Sequence, residues 1–255
     1  MSGMSAVPEG VLLEILSAVP AHDLIRRCRP VCTLWRHVID SPALWKKKCQ
    51  RDRFVSKRCR RSPPDWTMFY FLHLQKRNLL RNPIAEEEFE HWDLKEDGGD
   101  QWKVETLPGD HGRPFPDEKL KKYFATSYWL CVKTQTINLK EEGYPDEFMD
   151  KVQPDIVIKD WYAARHDCGC RYQLLVQLLS RDRTVVVEYK PDPVIIEQWS
   201  SAEWSQIEYT FRNYGPGVRY VHFEHGGQDT QGWAGWYGIR VTNSSVTINP
   251  GDLST

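Results

Sequence analysis

The chain has 255 residues, enough for one or two domains, and a formal net charge of -1, so no global field favours nucleic acid or an anionic membrane. Hydrophobic residues make up 40% and charged residues 27%, and no apolar run approaches the roughly 20 residues of a bilayer span, so membrane insertion is not expected. Seven cysteines, an odd number without framework spacing, and a Met1–Ser5 start lacking the basic and apolar parts of a signal peptide point to reduced thiols in the cytoplasm or nucleus.

Leu12, Leu13, Ile15 and Leu16 fall at helical spacing and predict a helix over 8–19, with Pro8 near its start. Ala21-His22-Asp23 opens a second helix running to Arg29. Pro30 breaks it and can begin a third, in which Val31, Leu34, Trp35 and Val38 follow the i, i+3, i+4, i+7 rule of one apolar face. Ser41 as cap and Pro42 as first residue predict a fourth, Ala43–Arg53, carrying Leu44 and Trp45. A segment of about fifty residues can barely bury a core of its own. Its apolar excess therefore predicts a partner that covers part of it, which points to an adaptor rather than an enzyme.

A basic cluster follows: Lys46, Lys47, Lys48, Arg51, Arg53, Lys57, Arg58, Arg60 and Arg61. It lacks the aromatic or glycine interleaving of a nucleic-acid motif and reads as a solvated helix face and linker, or as a patch that steers an acidic protein partner, so no nucleic-acid partner is expected. Asp65 can cap a further helix, Trp66–Leu80, burying Met68, Phe69, Leu72, Leu79 and Leu80. An acidic run from Glu86 ends in the turn signal Asp97-Gly98-Gly99-Asp100.

Beyond about residue 90 the pattern is that of strands. Cys170, Tyr172, Leu174, Val176 and Leu178 alternate with polar residues. Val185–Tyr189, Val194–Ile196, Val218–Glu224, Tyr237–Val241 and Ser245–Asn249 are further candidates, with turns at Lys190–Pro193, Tyr214–Gly217 and His225–Gly227. Short strands at this spacing predict an antiparallel β-sandwich.

His166, Cys168 and Cys170 could share a face but lack a fourth ligand, so no metal site is expected. His222, Glu224 and His225 read as polar outward residues of a strand end, and Cys28 and Cys32 as buried small residues. Nucleophile-elbow, Walker and dinucleotide motifs are missing. A glycosidase would need two facing carboxylates, for which Asp167, Asp229 and Glu224 are nominees. The expectation is a non-catalytic chain without a cofactor. Gly226–Gly238 is glycine-rich and carries two tryptophans. Trp236 is expected to fill the core. Trp233 is suited either to the core or to stacking on the apolar face of a sugar ring.

Residues 8–53, with the Pro8–Leu16 helix, Val31-Cys32-Thr33-Leu34-Trp35-Arg36 and Pro42-Ala43-Leu44-Trp45, resemble an F-box. Residues from about 82 to 250 resemble the F-box-associated domain of the sugar-recognising F-box-only proteins. Ile156–Tyr162, Asp167–Tyr172, Tyr214–Arg219, Phe223–Asp229 and Arg240–Ser245 carry that likeness. The resemblance implies an α+β chain in parts: a helical F-box over 1–53, a helical linker over 54–81, and a jelly-roll-like antiparallel sandwich of about ten strands over 82–252. It implies a substrate receptor of a Skp–cullin–F-box ubiquitin ligase, which binds a Skp-family adaptor and through it cullin and RING subunits. Pro8, Leu12, Leu13, Ile15, Leu16, Val31, Leu34, Trp35, Leu44 and Trp45 form the pool of adaptor contacts and small-core residues. In the family's glycan binders, sandwich loops hold the inner chitobiose of high-mannose N-glycans. Those positions fall on Tyr128, Asp167 and Trp233. Gly232 and Ala234 stand where strong binders carry Tyr and Lys. Two lost contacts at about 1 kcal/mol each reduce affinity tenfold or more. A receptor for protein surfaces and a receptor for glycoproteins are thus both open readings.

Overall fold

The computed structural model describes residues 7–55, 63 and 65–249. Lys57, Arg58, Arg60 and Arg61 of the basic cluster and the Met1–Ser5 segment lie outside them. The chain divides into two compact units, one reaching to Lys76 and one spanning Arg77–Asn249.

The first unit is helical. Helix α1 (Glu9–Ala18) turns Leu12 and Leu16 inward. Its last turn carries no basic residue. Lys48 of α4 (Pro42–Arg51) fills that role, with Nζ 3.3 and 2.8 Å from the Ser17 and Val19 carbonyls. Buried Trp45 donates Nε1–H to the Ile39 carbonyl at 2.7 Å and packs against Tyr70 and Phe71 of α5 (Trp66–Leu74). Asp65 caps α5, accepting from the Thr67 and Met68 amides at 2.8 and 3.1 Å.

Several expectations shift here. The second helix, α2 (Ala21–Asp23), continues as a π-turn, Leu24–Cys28. Helix α3 starts at Thr33 and ends at Asp40. Cys32 is its N-cap, with Sγ accepting from the Trp35 amide at 3.5 Å, and is exposed rather than buried. Val31 therefore precedes the helix and leaves its apolar face. Ser41 stands at the N-cap position of α4, ahead of Pro42, but its side chain makes no cap bond there: its Oγ donates to the Val38 carbonyl at 2.7 Å and closes α3 instead. Helix α5 ends at Leu74, not Leu80, because the following residues join the second unit. There the Leu79 amide bonds Val246 at 2.8 Å, and Asn78 Oδ1 accepts from Leu80 and Val246.

The second unit is a two-sheet antiparallel sandwich of eleven strands, with a short α6 (Asp146–Lys151) before β5. The six-stranded sheet has β1 (Asp93–Asp97), β4 (Cys131–Asn138), β10 (Tyr220–Asp229), β6 (Cys170–Leu179) and β7 (Val185–Tyr189) in order, with β8 (Val194–Ile196) also on β6. The five-stranded sheet runs β2 (Lys103–Thr106), β3 (Lys122–Ala125), β11 (Arg240–Asn249), β5 (Asp155–Ala163), β9 (Ser205–Phe211). β6 alternates as its sequence predicts, with Cys170, Tyr172, Leu174, Val176 and Leu178 buried between the sheets.

Two readings of the strands are corrected. His225-Gly226-Gly227 is not a turn: it continues β10 between β4 and β6. A Cβ at Gly226 would come to 1.9 Å from the Cys131 carbonyl oxygen, and one at Gly227 to 1.8 Å from that of Arg171. These glycines serve close backbone approach, not chain reversal. Arg240 and Val241 of the first piece and all of Ser245–Asn249 belong to one strand, β11, broken by a bulge between Thr242 and Ser245, whereas Tyr237–Ile239 lie in the preceding loop. Asn243 takes the left-handed conformation there (φ 53°) and its amide reaches the Pro83 carbonyl at 2.9 Å.

Candidate functional site

Antiparallel pairing brings the β3–β4, β5–β6 and β10–β11 connections to one end of the sandwich, together with the β1–β2 turn. Backbone bonds stitch them. The Asp229 amide donates to Ser127 at 3.0 Å, and Thr230 to Gly169 at 2.9 Å. Ser127 Oγ donates to the Gly235 carbonyl at 2.8 Å, and the Gly235 amide donates to Asp100 Oδ2 at 2.6 Å. The candidate residues Tyr128, Asp167 and Trp233 occupy three of these four segments.

Trp233 lies on the β10–β11 loop and is 42% exposed. Buried Asp229 fixes the loop's first turn, accepting from the Gly232 and Trp233 amides at 2.5 and 3.2 Å. Burial pushes the Asp229 carboxyl above the usual range, and these two amides pull it down. Gly232 takes φ +70° with open space around it. Gly232 and Ala234 are exposed and present no large side chain. The edge of Trp233 meets Tyr237 at 5.6 Å, and the Arg165 guanidinium lies 4.4 Å above the Tyr237 ring. Arg165 in turn grips Asp167 through two 2.9 Å bonds. That pairing holds the Asp167 carboxyl below the usual carboxylate range. A chain of contacts thus links Asp167 to Trp233. Tyr128 is half-buried, edge-on to Trp129 at 5.5 Å. Trp236 does not fill the core: half-buried, it packs against the core's rim, with Lys103 Nζ 3.9 Å above its ring.

The carboxylates nominated for hydrolysis do not converge. Asp229 points between the sheets, whereas Glu224 pairs with Lys95 on the outer face at 2.8 Å. His222 and Glu224 do face outward, but in the middle of β10. His225 is fully buried and bonds Asp160 through Nδ1 at 2.6 Å. Asp160 also accepts from Tyr172 at 2.6 Å and Ser244 at 2.7 Å. Lys133, the cross-strand partner of His225, is enclosed with its Nζ 3.0 Å from the Trp92 ring centre and 3.9 Å from that of Phe124. Burial holds this ammonium far below its usual pKa. This interior network was missed by sequence reasoning, since alternation fixes which strand residues share a face but not which face meets the opposite sheet. No group of three or more His, Cys, Asp or Glu positioned for a metal ion occurs among the described residues.

In the helical unit the pool of ten residues separates. Leu12, Leu16, Leu44 and Trp45 are core. Leu13, Leu34 and Trp35 are half-buried, and Pro8 is exposed. Ile15 and Val31 are 54% and 55% exposed, and Val11 and Ile25 join them at 49% and 40%. The last two were missed because periodicity marks apolar positions without saying which of them the small core leaves out.

A helical unit ahead of a loop-presenting sandwich defines a modular, two-part protein. The family described as F-box associated region matches residues 70–248, and the F-box-like family matches residues 4–51. F-box only protein 6 of Bos taurus is 56% identical, over 96% of this chain and 93% of its own length. F-box only protein 44 of Mus musculus is 53% identical, covering 98% of both chains. F-box only protein 17 of Homo sapiens is 37% identical over 96% of this chain and 92% of its own. The chain belongs to the F-box only proteins that carry an F-box associated region.

Proposed function

We propose that the chain is the non-catalytic substrate receptor of a Skp–cullin–F-box ubiquitin ligase. The helical unit docks on a Skp-family adaptor, and through it on cullin and RING subunits. The sandwich holds a protein substrate, and ubiquitin transfer gains from effective concentration. The observation that carries this reading is the exposed apolar set Val11, Ile15, Ile25 and Val31 on a unit matching the F-box-like family. Isolated exposed apolar residues are ordinary, but four within so short a unit mark a covered surface. Tagged full chain should co-purify cullin from cells. Ile15→Asp should abolish that, and Trp233→Ala should not. Cullin retained by Ile15→Asp would count against the reading.

The glycoprotein reading rests on the exposure of Trp233 at the gathered loop end. On a glycan array, Trp233→Ala should erase any binding to high-mannose or chitobiose ligands. Binding that survives this change would remove Trp233 as the platform.

A further inference from the structure

The outer face of the six-stranded sheet carries a cleft of about 190 Å³, which begins at Arg171 just past the loop end and reaches Leu175 along β6. The loop between β7 and β8 forms one wall, with Lys190, Pro191 and Pro193, and strand β6 forms another, with Arg171 and Leu175. Glu224 of β10 closes the floor and is only 8% exposed. Its Oε2 is held by Lys95 at 2.8 Å, with His222 Nε2 at 3.6 Å.

The charges do not balance. Lys95 neutralises Glu224, whereas neither Arg171 nor Lys190 has a carboxylate within ion-pair distance among the described residues. Asp192 sits on the same loop but does not line the cleft, and Glu188 is engaged by Gln177 Nε2 at 3.0 Å. Two cations therefore flank a small cavity whose one lining carboxylate, Glu224, is already held by Lys95. Such a pair favours an anionic group, and the guanidinium can take a carboxylate through two bonds. Beside it, Ile195 of β8 is the cross-strand partner of Arg171 and is 53% exposed. β8 pairs only with β6, so its other edge carries no strand, the arrangement that strand addition by an extended chain uses. A carboxylate in the cleft with an apolar residue on Ile195 is the signature of an acidic, apolar peptide rather than a free ion.

We infer that the Arg171–Lys190 cleft is a docking site for an acidic extended segment of a protein substrate. This deepens the receptor reading by naming a substrate class for the sandwich, and it is independent of the Trp233 loop. The probe is a fluorescein-labelled peptide of five Glu-Leu repeats, titrated against the purified full chain at low salt, with a Lys-Leu peptide of equal length as control. Binding of the acidic peptide alone is expected. Arg171→Gln and Lys190→Gln should each weaken it about tenfold, one charge-assisted contact apiece, with melting temperatures unchanged. Trp233→Ala should leave it intact. No binding, binding indifferent to both substitutions, equal binding of the Lys-Leu peptide, or tighter binding of a single-stranded oligonucleotide would each overturn the site. The titration contains no adaptor, so its failure would leave the ligase reading standing, and loss of cullin capture would leave this site standing.

Discussion

Gly232 and Ala234 flank Trp233 on the β10–β11 loop and bear directly on the glycoprotein reading. Both differ from the aromatic and cationic neighbours expected of strong glycan binders, yet they are not equivalent. Gly232 sits at φ +70°, where an L side chain costs about 1–2 kcal/mol. Gly232→Tyr should lower the melting temperature of the chain. Ala234→Lys meets no such strain and should raise affinity for chitobiose without a stability change, which calorimetric titration reads directly. Equal destabilisation by both would contradict the backbone argument. Trp233 was legible as a candidate from its type and its glycine-rich loop, whereas Tyr128 and Asp167 were candidates for the glycan site only through the family resemblance. That Arg165 already occupies Asp167 was not legible, because a bidentate pair two residues apart depends on how the β5–β6 loop folds.

At the scale of elements, strand β6 was readable because alternation is a local property. The pairing of strands was not, and three misreadings follow from that. Gly226 and Gly227 carry a turn signal that equally suits close strand approach. The β11 bulge looks like two strands. His225 looks polar and outward until β10 is seen between β4 and β6. The consequence is an interior tie in which Asp160 of β5 gathers Tyr172 of β6, His225 of β10 and Ser244 of β11. Removing one partner of such a buried set strands the others, at about 3 kcal/mol or more. Asp160→Ala should show that loss in urea denaturation, and a change within 1 kcal/mol, about the net worth of one ordinary hydrogen bond, would mean the tie is dispensable. Burial holds the His225 imidazole below its ordinary value of 6.5, with Asp160 opposing and Lys133 adding to the effect. The unfolded chain therefore takes up this proton near pH 6.5, while the folded chain waits for lower pH. This group leaves stability unchanged above that value and lowers it as pH falls below. The denaturation midpoint should drop between about pH 7 and pH 5, and His225→Gln should flatten the drop. An identical slope in the variant would assign the acid sensitivity elsewhere.

For the whole molecule, the two-part architecture was easier to read than the boundary between its parts. Composition and apolar spacing pointed to an adaptor, and family membership supports that reading. Helix α5, read as part of a linker running to residue 81, instead packs its Tyr70 and Phe71 on Trp45 of the helical unit, and the chain passes into the sandwich at Arg77. Sequence could not show this, since an apolar helix reads the same whichever unit it covers. The same limit hid the split between Leu16, a core residue, and Ile15, an exposed one, a single position apart on α1. That split makes the central claim testable without unfolding the chain. The most direct measurement is the titration of purified full chain with a purified Skp-family adaptor, run beside a melting curve. Ile15→Asp and Val31→Asp should each weaken the complex at least tenfold with the melting temperature unchanged, the loss of one buried apolar contact. Leu16→Asp should lose both binding and fold. Undiminished adaptor binding by the folded Ile15→Asp and Val31→Asp variants would contradict the account.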